Sequence, residues 1–175
     1  MSHDEIYLFH QTPVALAQAL IPRIPLEPND ILYEPFKGEG AFYDHFPEGH
    51  SKEWSEITQG RDYKDFLGEY DWVITNPPYR LETNEEQKDN AFRRVNAFWV
   101  LLDHFSQKAK KGIAMLVNDR CIVSLTPRRI AILEGRGFAV ESITVCNVKR
   151  WRGRYFFIVI RKGAVPCLTG LVGSY

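Results

Sequence analysis

The stretch D-W-V-I-T-N-P-P-Y, residues 71–79, joins the pattern of a buried strand to a segment that cannot belong to one. Four apolar or β-prone residues, Trp72 to Thr75, run directly into an asparagine and two prolines. Tandem prolines have no amide hydrogens to donate and hold φ fixed, so the strand must end there and a rigid loop must follow. The stretch therefore predicts a stiff loop that presents Asn76 and Tyr79 at the end of a buried strand.

Strand patterns alternate with helix patterns along the rest of the chain. Further strands are predicted at Asp30 to Glu34, Glu53 to Ile57, Arg61 to Tyr63 and Ile113 to Val117, and helices at Val14 to Ile21, after the glycine turn of residues 36–43, at Glu85 to Ala109 and at Pro127 to Gly135. The last two strands, Phe138 to Cys146 and Tyr155 to Ile160, are too close in sequence for a helical crossover and should form an antiparallel hairpin. We expect an α/β fold with a Rossmann-like, seven-stranded, mostly parallel sheet and helices on both faces.

Length and composition indicate one globular domain. The chain has 175 residues, of which 45% are hydrophobic and 13% aromatic, and this is enough to bury a single core without disulfides or metals. We expect the domain to span residues 1–163. Residues 164–175, rich in glycine and small side chains, should form a tail that is loosely ordered or serves for attachment.

The sequence carries no pattern of a membrane, secreted or metal-binding protein. No apolar run reaches the length of about 18 residues that a spanning helix needs, and the first ten residues carry acids where a signal peptide carries positive charge. We therefore expect a cytoplasmic protein. Cys121, Cys146 and Cys167 form no C-x-x-C pair, and the five histidines lack metal-ligand spacing, so we expect reduced thiols and no metal.

Charge is unevenly distributed along the chain although the net charge is zero. Residues 1–90 hold 18 acidic and 7 basic residues, whereas residues 91–175 hold 4 and 15. Clustered cations attract phosphate whatever the total charge, so the division favours a nucleic-acid partner. A solvated basic face without a partner is the alternative interpretation.

Three acidic side chains are predicted at the ends of successive strands. Glu34 begins the turn E-P-F-K-G-E-G, where it would repel a phosphate but attract an ammonium group, which favours a cofactor with a cationic amino-acid end. Glu56 lies where doubly wound folds use an acid to bind ribose hydroxyls, and Asp62 is placed to accept a hydrogen bond from an adenine amino group. An ordinary tight turn and solvated surface acids are the alternatives.

The N-P-P-Y loop has the groups needed to bind an exocyclic amine. The Asn76 side-chain oxygen and the Pro77 carbonyl can both accept hydrogen bonds from one amino group and draw its nitrogen toward a tetrahedral, nucleophilic form. Tyr79 offers a ring on which a planar base or amide can stack. A purely structural turn is the alternative, and the glycine turn upstream makes it the weaker one.

At these residues the chain resembles the S-adenosylmethionine-dependent amino-methyltransferases, whose signature is D/N/S-P-P-Y/F/W. The order of Thr12-Pro13, then E-P-F-K-G-E-G, then N-P-P-Y is similar to that of gamma-type DNA adenine-N6 methyltransferases, including small phage-like enzymes. The resemblance extends from about Phe9 to Lys162. It implies an S-adenosylmethionine-dependent methyltransferase domain over residues 1–163 that methylates N6 of adenine in DNA.

The resemblance also implies roles for individual residues. The catalytic loop would be Asn76, Pro77, Pro78 and Tyr79, with Asn76 also next to the cofactor. The methionine end of the cofactor would contact Thr12, Pro13, Glu34, Pro35, Phe36, Gly38 and Gly40, the ribose Glu56, and the adenine Asp62 with Ile57. Lys37 departs from the family pattern, because a small or thiol residue is frequent at that position of the turn.

The segment N-V-K-R-W-R-G-R between the last two predicted strands combines an aromatic residue with cations. The family places an aromatic there against the second face of the flipped base, and the candidate is Trp151. Its basic neighbours, suited to a nucleotide-binding groove, are Lys149, Arg150, Arg152 and Arg154. A solvated hairpin tip with Trp151 packed on the domain is the alternative.

Several substrates remain open at this stage. The expected partner is nucleic acid, DNA in preference to RNA, and a second copy or a partner subunit would supply target recognition because 175 residues leave no room for a separate recognition domain. The same loop chemistry serves enzymes that methylate RNA adenine or guanine amino groups or a protein glutamine amide. A non-catalytic cofactor-binding subunit of a methyltransferase complex is the last alternative.

Overall fold

A sheet of six strands organises the residues that the computed structural model describes, which are 11–79, 97–148, 151 and 153–170. In chain order the strands are β1 (Ile31–Glu34), β2 (Ser51–Trp54), β3 (Trp72–Thr75), β4 (Gly112–Asn118), β5 (Phe138–Cys146) and β6 (Tyr155–Lys162). Their order across the sheet is β2-β1-β3-β4-β6-β5, with β1 to β4 parallel and β6 antiparallel to both of its neighbours. The expected α/β, mostly parallel sheet with an antiparallel terminal hairpin is confirmed.

Helices cover both faces of the sheet. They are α1 (Val14–Leu20), α2 (Ala97–Lys108), the short α3 (Asp119–Val123) and α4 (Pro127–Gly135). Because side chains alternate along a strand, the central strands contribute to two separate cores. One core joins Leu32, Trp72, Ile74, Ala114 and Leu116 to α1, and the other joins Tyr33, Val73, Ile113, Met115 and Val117 to α2 and α4.

Local sequence signals explain where the helices begin. Pro13 precedes α1, and its carbonyl accepts hydrogen bonds from the Leu16 and Ala17 amides at 2.9 and 3.1 Å. Thr126 caps α4 through its hydroxyl, which accepts from the Arg129 amide at 3.4 Å, and a proline occupies the first turn. These caps agree with the helices predicted there from sequence.

The terminal hairpin returns the chain to the edge where the parallel strands end. Cys146 at the end of β5 pairs with Tyr155 at the start of β6, and Tyr155 also pairs with Asn118 at the end of β4. The connection between β5 and β6 therefore begins and ends at the same edge as the loop after β3. This places the predicted catalytic loop and the basic hairpin on one side of the molecule.

The strand predicted at Arg61 to Tyr63, the third of the seven in chain order, is wrong, and the described sheet has six strands. Gly60 turns the chain back with φ of 73°, so Arg61 forms a single antiparallel bridge with Glu56 and no ladder follows. Asp62 then caps a 3-10 turn over Tyr63–Asp65. Strand pairing depends on distant partners, and a three-residue pattern carries too little of that information.

The helix predicted after the glycine turn is also replaced by a shorter element. A single 3-10 turn, Tyr43–His45, lies between β1 and β2, since the glycines before it and Pro47 after it leave too few residues for an α-helix. The long helix predicted at Glu85 to Ala109 corresponds to α2 in its second part. Its first part, up to residue 96, lies outside the described residues.

Residues 164–170 contact the domain at several points, one of which is Gly170 against Pro127 at the start of α4. The Cys167 amide donates to the Val140 carbonyl at 2.8 Å, and Leu168 packs against the core that contains α2 and α4. The boundary at residue 163 stays a prediction. Within the described residues, none of the helices has the length and apolar character required to traverse a bilayer.

Candidate active site

The candidate site lies at the carboxyl edge of the parallel strands, where β1 and β3 are neighbours but not consecutive in the chain. The chain leaves β1 toward β2 on one side and returns as β3 on the other, which makes this a topological switch point. Ligands of open α/β sheets bind in the crevice outside the strand ends at such a point. The turn after Glu34 and the loop that begins at Asn76 border it from opposite sides.

The loop after β3 is joined to the segment that precedes α1. The Asn76 Nδ2 atom donates to the Thr12 hydroxyl oxygen at 3.2 Å, across 64 positions of sequence. With Nδ2 committed to Thr12, the amide presents Oδ1 as its acceptor. Pro77 is buried and Pro78 half-buried, so the T-P and N-P-P-Y segments form one unit.

Glu34 at the end of β1 is a buried acid. It is 2% exposed, and its Oε2 atom accepts a hydrogen bond from the Tyr43 amide at 2.7 Å. Burial, reinforced by Asp44 and Glu56 nearby, raises the pKa of the Glu34 carboxyl well above its ordinary value despite that bond. A cation placed beside it would favour its ionised form. Pro35, which follows, is buried.

The glycine turn requires its glycines for conformation and for space. Gly40 has φ of 84°, and a Cβ there would overlap the Asp44 carboxylate. Gly38 has φ of 51° and lies against the side-chain amide of Gln11, whose Oε1 accepts from the Glu39 amide at 3.4 Å. A hydrogen-bond acceptor from the segment before α1 thus reaches a backbone amide of the glycine turn.

Glu56 joins the glycine turn to the loop after β2. Its Oε2 accepts from the Gly38 amide at 2.8 Å, and its Oε1 accepts from the Thr58 amide and hydroxyl at 3.1 and 2.8 Å. Burial acts to raise the pKa of Glu56, but these three hydrogen bonds outweigh it and hold the pKa below its ordinary value. Glu56 is therefore an anion at the position predicted for a ribose contact.

Asp62 and Ile57, predicted to contact the adenine, are less closely integrated. The Asp62 Oδ1 atom accepts from the Lys64 amide at 3.0 Å as a local cap, and the residue does not follow a strand because the third predicted strand is absent from the described sheet. Ile57 is 61% exposed beside Glu56. Their adenine role stays a prediction.

The side chains of Phe36 and Lys37 leave the glycine turn in different ways. Phe36 is half-buried, with its ring centroid 5.1 Å from that of Tyr63. The Lys37 ammonium lies 5.1 Å from the ring centroid of Tyr43 and 4.9 Å from that of Trp54. Two aromatic rings thus hold the charge of the residue that departs from the family pattern.

Tyr79 lies where the two cores meet. Its ring packs against both, and burial, followed by the neighbouring Tyr155 and Cys121, raises the pKa of its phenol far above the ordinary value. Tyr79 is therefore a neutral phenol at every physiological pH and cannot act as a base. Its chemistry is therefore limited to stacking and positioning.

The hairpin places Trp151 in contact with Tyr155. The ring centroids are 4.7 Å apart at an interplanar angle of 59°, and Trp151 is half-buried against the core that contains α1. This packing is what the structural alternative for Trp151 predicted, so its base-stacking role stays a prediction. Arg154 is exposed, whereas Lys149, Arg150 and Arg152 lie outside the described residues.

Several residues of the site were missed from sequence. Gln11 lies over the glycine turn, Thr58 holds Glu56, and Tyr155 with Cys121 borders Tyr79. Tyr155 has a detectable signal, since it begins a predicted strand next to the basic hairpin. Gln11 and Thr58 adjoin the predicted site residues Thr12 and Glu56 but carry no motif of their own, and Cys121 reaches Tyr79 only through the folded chain.

Solved structures share this fold at low sequence identity. A magnesium protoporphyrin IX methyltransferase from Synechocystis PCC 6803, solved with bound SAM, has a TM-score of 0.57 at 12% identity over 90% of this chain and 88% of that chain. A type I restriction-modification system methyltransferase subunit from Streptococcus thermophilus has a TM-score of 0.59 at 14% identity over 89% and 45%. A chain of the E. cuniculi Mtq2–Trm112 complex, responsible for methylation of the termination factor eRF1, has 0.54 at 14% over 88% and 98%.

These likenesses establish the fold, which is the Rossmann-like α/β fold of methyltransferases. Identities of 12–14% do not carry a reaction from one chain to another, and the three structures belong to a protoporphyrin methyltransferase, a restriction-modification subunit and a complex that methylates a protein. The chain spans less than half of the Streptococcus subunit. No family model matches the chain, and no curated protein matches its sequence.

Proposed function

We propose that this chain transfers a methyl group from S-adenosylmethionine to the exocyclic N6 amino group of adenine in DNA. One observation carries the proposal. The N-P-P-Y loop and the T-P segment are joined by the Asn76–Thr12 hydrogen bond of 3.2 Å at the sheet edge that also bears the glycine turn. This contact supports the arrangement that the resemblance implies, in which three motifs far apart in sequence form one site.

The residues at this edge suit S-adenosylmethionine, which when bound supplies an electrophilic methyl group on a sulfonium. Glu34 is a buried carboxyl that a cationic amino-acid end would stabilise in its ionised form. The Glu39 amide donates a hydrogen bond to the side-chain oxygen of Gln11, and it could donate in the same way to the carboxylate of the cofactor's amino-acid end. Glu56 is an anion with remaining acceptor capacity for ribose hydroxyls.

The loop would prepare the amine through acceptors and not through a base. The Asn76 Oδ1 atom and the Pro77 carbonyl would accept its two N–H groups and orient the nitrogen lone pair. Burial raises the pKa of the Tyr79 phenol, so Tyr79 is not the group that takes the amine proton, which can pass to water after the methyl transfer. Positioning then supplies most of the rate enhancement.

Nucleic acid is the substrate class that the charges favour. Tyr79 and Trp151 offer aromatic surface for an extruded base, and the segment from Lys149 to Arg154 offers cations for phosphates. The protein would act in the cytoplasm, with a second copy or a partner subunit supplying target recognition. The likeness to a type I restriction-modification methyltransferase subunit supports this assignment at the level of fold.

The substrate is identified by an assay with radiolabelled methyl donor. Purified protein is incubated in parallel with duplex DNA, single-stranded DNA, structured RNA and protein extract, and the labelled nucleoside or residue is then identified. The expected product is N6-methyladenine in DNA. Label in RNA or only in protein would replace the DNA assignment, and cofactor binding without label anywhere would favour a non-catalytic subunit.

The role of the loop is tested by Asn76→Ala. We expect methyl transfer to fall by at least about a hundredfold, the usual effect of losing a preorganised polar group at the reacting centre. Cofactor affinity, measured by calorimetry, should stay close to that of the unmodified chain. Asn76→Asp is the matched control, because aspartate keeps a side-chain oxygen acceptor at this position and is one of the residues that the D/N/S-P-P-Y/F/W signature allows there. An alanine variant with near-normal turnover would refute the proposal.

A protein amide is the second candidate substrate. The likeness to a chain of the E. cuniculi complex that methylates eRF1 extends over 98% of that chain, and an amide nitrogen could be held by the same two acceptors. The basic hairpin favours nucleic acid over this candidate. The protein-extract arm of the assay separates the two.

A further inference from the structure

The acidic and basic halves of the sequence stay apart in the fold. The sheet order places β1, β2 and β3 together on one side, the acidic side, and β4, β5 and β6 on the other, the basic side. Among the described residues, those up to 79 include 12 acidic and 5 basic, whereas those from 97 onward include 4 and 10. The loop after β3 therefore lies at the boundary between the two sides.

Carboxylate partners neutralise the basic side mainly at the amino edge of the sheet. Four of its cations form ion pairs there, next to the start of β4 or β5 or the end of β6. The pairs, in atom-to-atom contact, are Lys110 with Glu69, Lys111 with Asp30, Arg136 with Asp103 and Arg161 with Glu141. These pairs are structural, and they leave little free positive charge at that edge.

The carboxyl edge of the basic side is different. Arg120 on α3, Arg128 at the start of α4 and Arg154 before β6 are all exposed, and within the described part of the chain none has a carboxylate at ion-pair distance. The Asp119 amide donates to the Arg154 carbonyl at 3.1 Å, which holds α3 beside the hairpin. We call these three residues the arginine track.

The position of Arg128 is unfavourable for α4 itself. The first turn of this helix contains no acidic residue, and a cation there faces the positive end of the helix dipole. Arg129 next to it has structural contacts, since its Nη1 donates to the Ser124 carbonyl at 2.7 Å and its guanidinium lies 5.0 Å from the Trp99 ring centroid. Arg128 has no such contact in the described structure, so its charge is available to an anion.

We propose that the sugar-phosphate backbone of the substrate lies along the arginine track, over α3 and the start of α4, and not over the acidic side. The inference rests on the proposed function. It adds the direction in which the nucleic-acid strand runs from the loop after β3, namely toward the basic side. Arg120 and Arg128 become phosphate-binding residues outside the predicted base site. The acidic side would repel the same backbone and stay free for the cofactor.

The test compares two double variants with the same loss of charge. Arg120→Ala with Arg128→Ala removes two of the three arginines of the track, and Lys108→Ala with Lys162→Ala removes two exposed cations of the basic side at the amino edge. Affinity for a fluorescein-labelled DNA single strand, the corresponding duplex and an RNA hairpin is measured by polarisation over a series of salt concentrations. Calorimetry with S-adenosylmethionine checks that the cofactor site is unaffected.

We expect the track variant to bind more weakly and with a shallower salt dependence. Loss of two phosphate contacts should reduce the slope of log affinity against log salt by about 1.4 for a single strand and about 1.8 for a duplex. Lysine at both positions should restore most of the slope. The RNA arm shows whether the backbone of DNA or RNA is preferred.

The outcomes separate the track from the proposed function. If the unmodified chain methylates DNA but the two double variants have equal slopes, the track is refuted and the function stands. If the unmodified chain binds no nucleic acid and labels only protein, both fail. Thermal unfolding of every variant excludes misfolding as the cause, and the lysine variant provides the second reading should the alanine variant be unstable.

Discussion

Glu34 is an acid that the fold keeps away from water. It is 2% exposed, has Asp44 and Glu56 as acidic neighbours, and receives one backbone hydrogen bond from Tyr43. A buried carboxyl with a raised pKa in a crevice costs stability, and such groups cluster at functional sites. A buried carboxyl suits the cationic partner proposed above. Binding of that cation would relieve the destabilisation and so contribute to the binding free energy.

Glu34→Gln should stabilise the free protein and weaken its affinity for the cofactor. The raised pKa means that the folded chain binds this proton more tightly than the unfolded chain does. Below about pH 4.3, the pKa of a glutamate in the unfolded chain, Glu34 is protonated in both states and the free energy of unfolding is not reduced. As pH rises from there toward the pKa of Glu34 in the folded chain, the free energy of unfolding falls. Glutamine keeps an acceptor for the Tyr43 amide and removes this pH dependence.

Two measurements check this prediction. Urea unfolding as a function of pH should show an advantage of the glutamine variant that grows as pH rises. Calorimetry should show S-adenosylmethionine binding at least about tenfold weaker, as expected for the loss of one charged contact. A variant that binds the cofactor normally would remove Glu34 from the proposed site.

The contact between β3 and β4 shows how an element far from the chemistry positions the site. The Trp72 ring lies directly against Gly112, and its Nε1 atom donates to the buried Asp30 at 3.1 Å. Asp30 in turn accepts from the Lys111 ammonium at 2.6 Å. These bonds hold the amino ends of the strands whose other ends carry the proposed catalytic loop and α3.

Gly112→Ala should destabilise the protein by about 1–3 kcal/mol, the usual cost of overpacking a close contact. The added methyl group would overlap the Trp72 ring, which its hydrogen bond to Asp30 prevents from moving freely. Gly135→Ala is the matched control at the end of α4, where nothing lies within 4 Å of the new methyl group. The control should be neutral or more stable by about 0.4–1 kcal/mol.

Urea unfolding of both variants measures the difference. Equal midpoints would show that the sheet adjusts around Trp72 without cost and that this contact does not position the strands.

The extent of the domain is a property of the whole molecule. Residues beyond 163 were expected to be loosely ordered or to serve for attachment, yet Cys167 bonds to Val140 and Leu168 packs on the core of α2 and α4. This segment returns along the outer strand β5, where a free edge would otherwise present unpaired backbone groups. We therefore expect it to contribute to the stability of the domain.

Leu168→Ser should lower the free energy of unfolding by about 1 kcal/mol, the scale expected for exposing part of one leucine side chain. Val165→Ser is the matched control, because Val165 is 85% exposed and should tolerate the change. Chemical denaturation of the two variants gives the comparison. Indistinguishable midpoints would mean that the segment adds nothing to the stability of the fold.

Local patterns in the sequence determined a large part of this protein. The alternation of strands and helices, the terminal hairpin and the stiff N-P-P-Y loop depend on side-chain periodicity, proline chemistry and chain length between elements, which neighbouring residues specify. The six strands that form the described sheet were all predicted, with ends shifted by a few residues.

Only the tertiary structure decided which of these segments meet. Thr12 bonds to Asn76 across 64 residues, Glu56 bonds to Gly38, and Tyr155 borders Tyr79 because the sheet order brings their strands to one edge. The same order kept the acidic and basic halves apart, and the absence of a strand at Arg61 to Tyr63 in the described sheet depended on a partner that a local pattern does not contain. Pairing between distant segments is a property of the whole chain, so no local pattern specifies it.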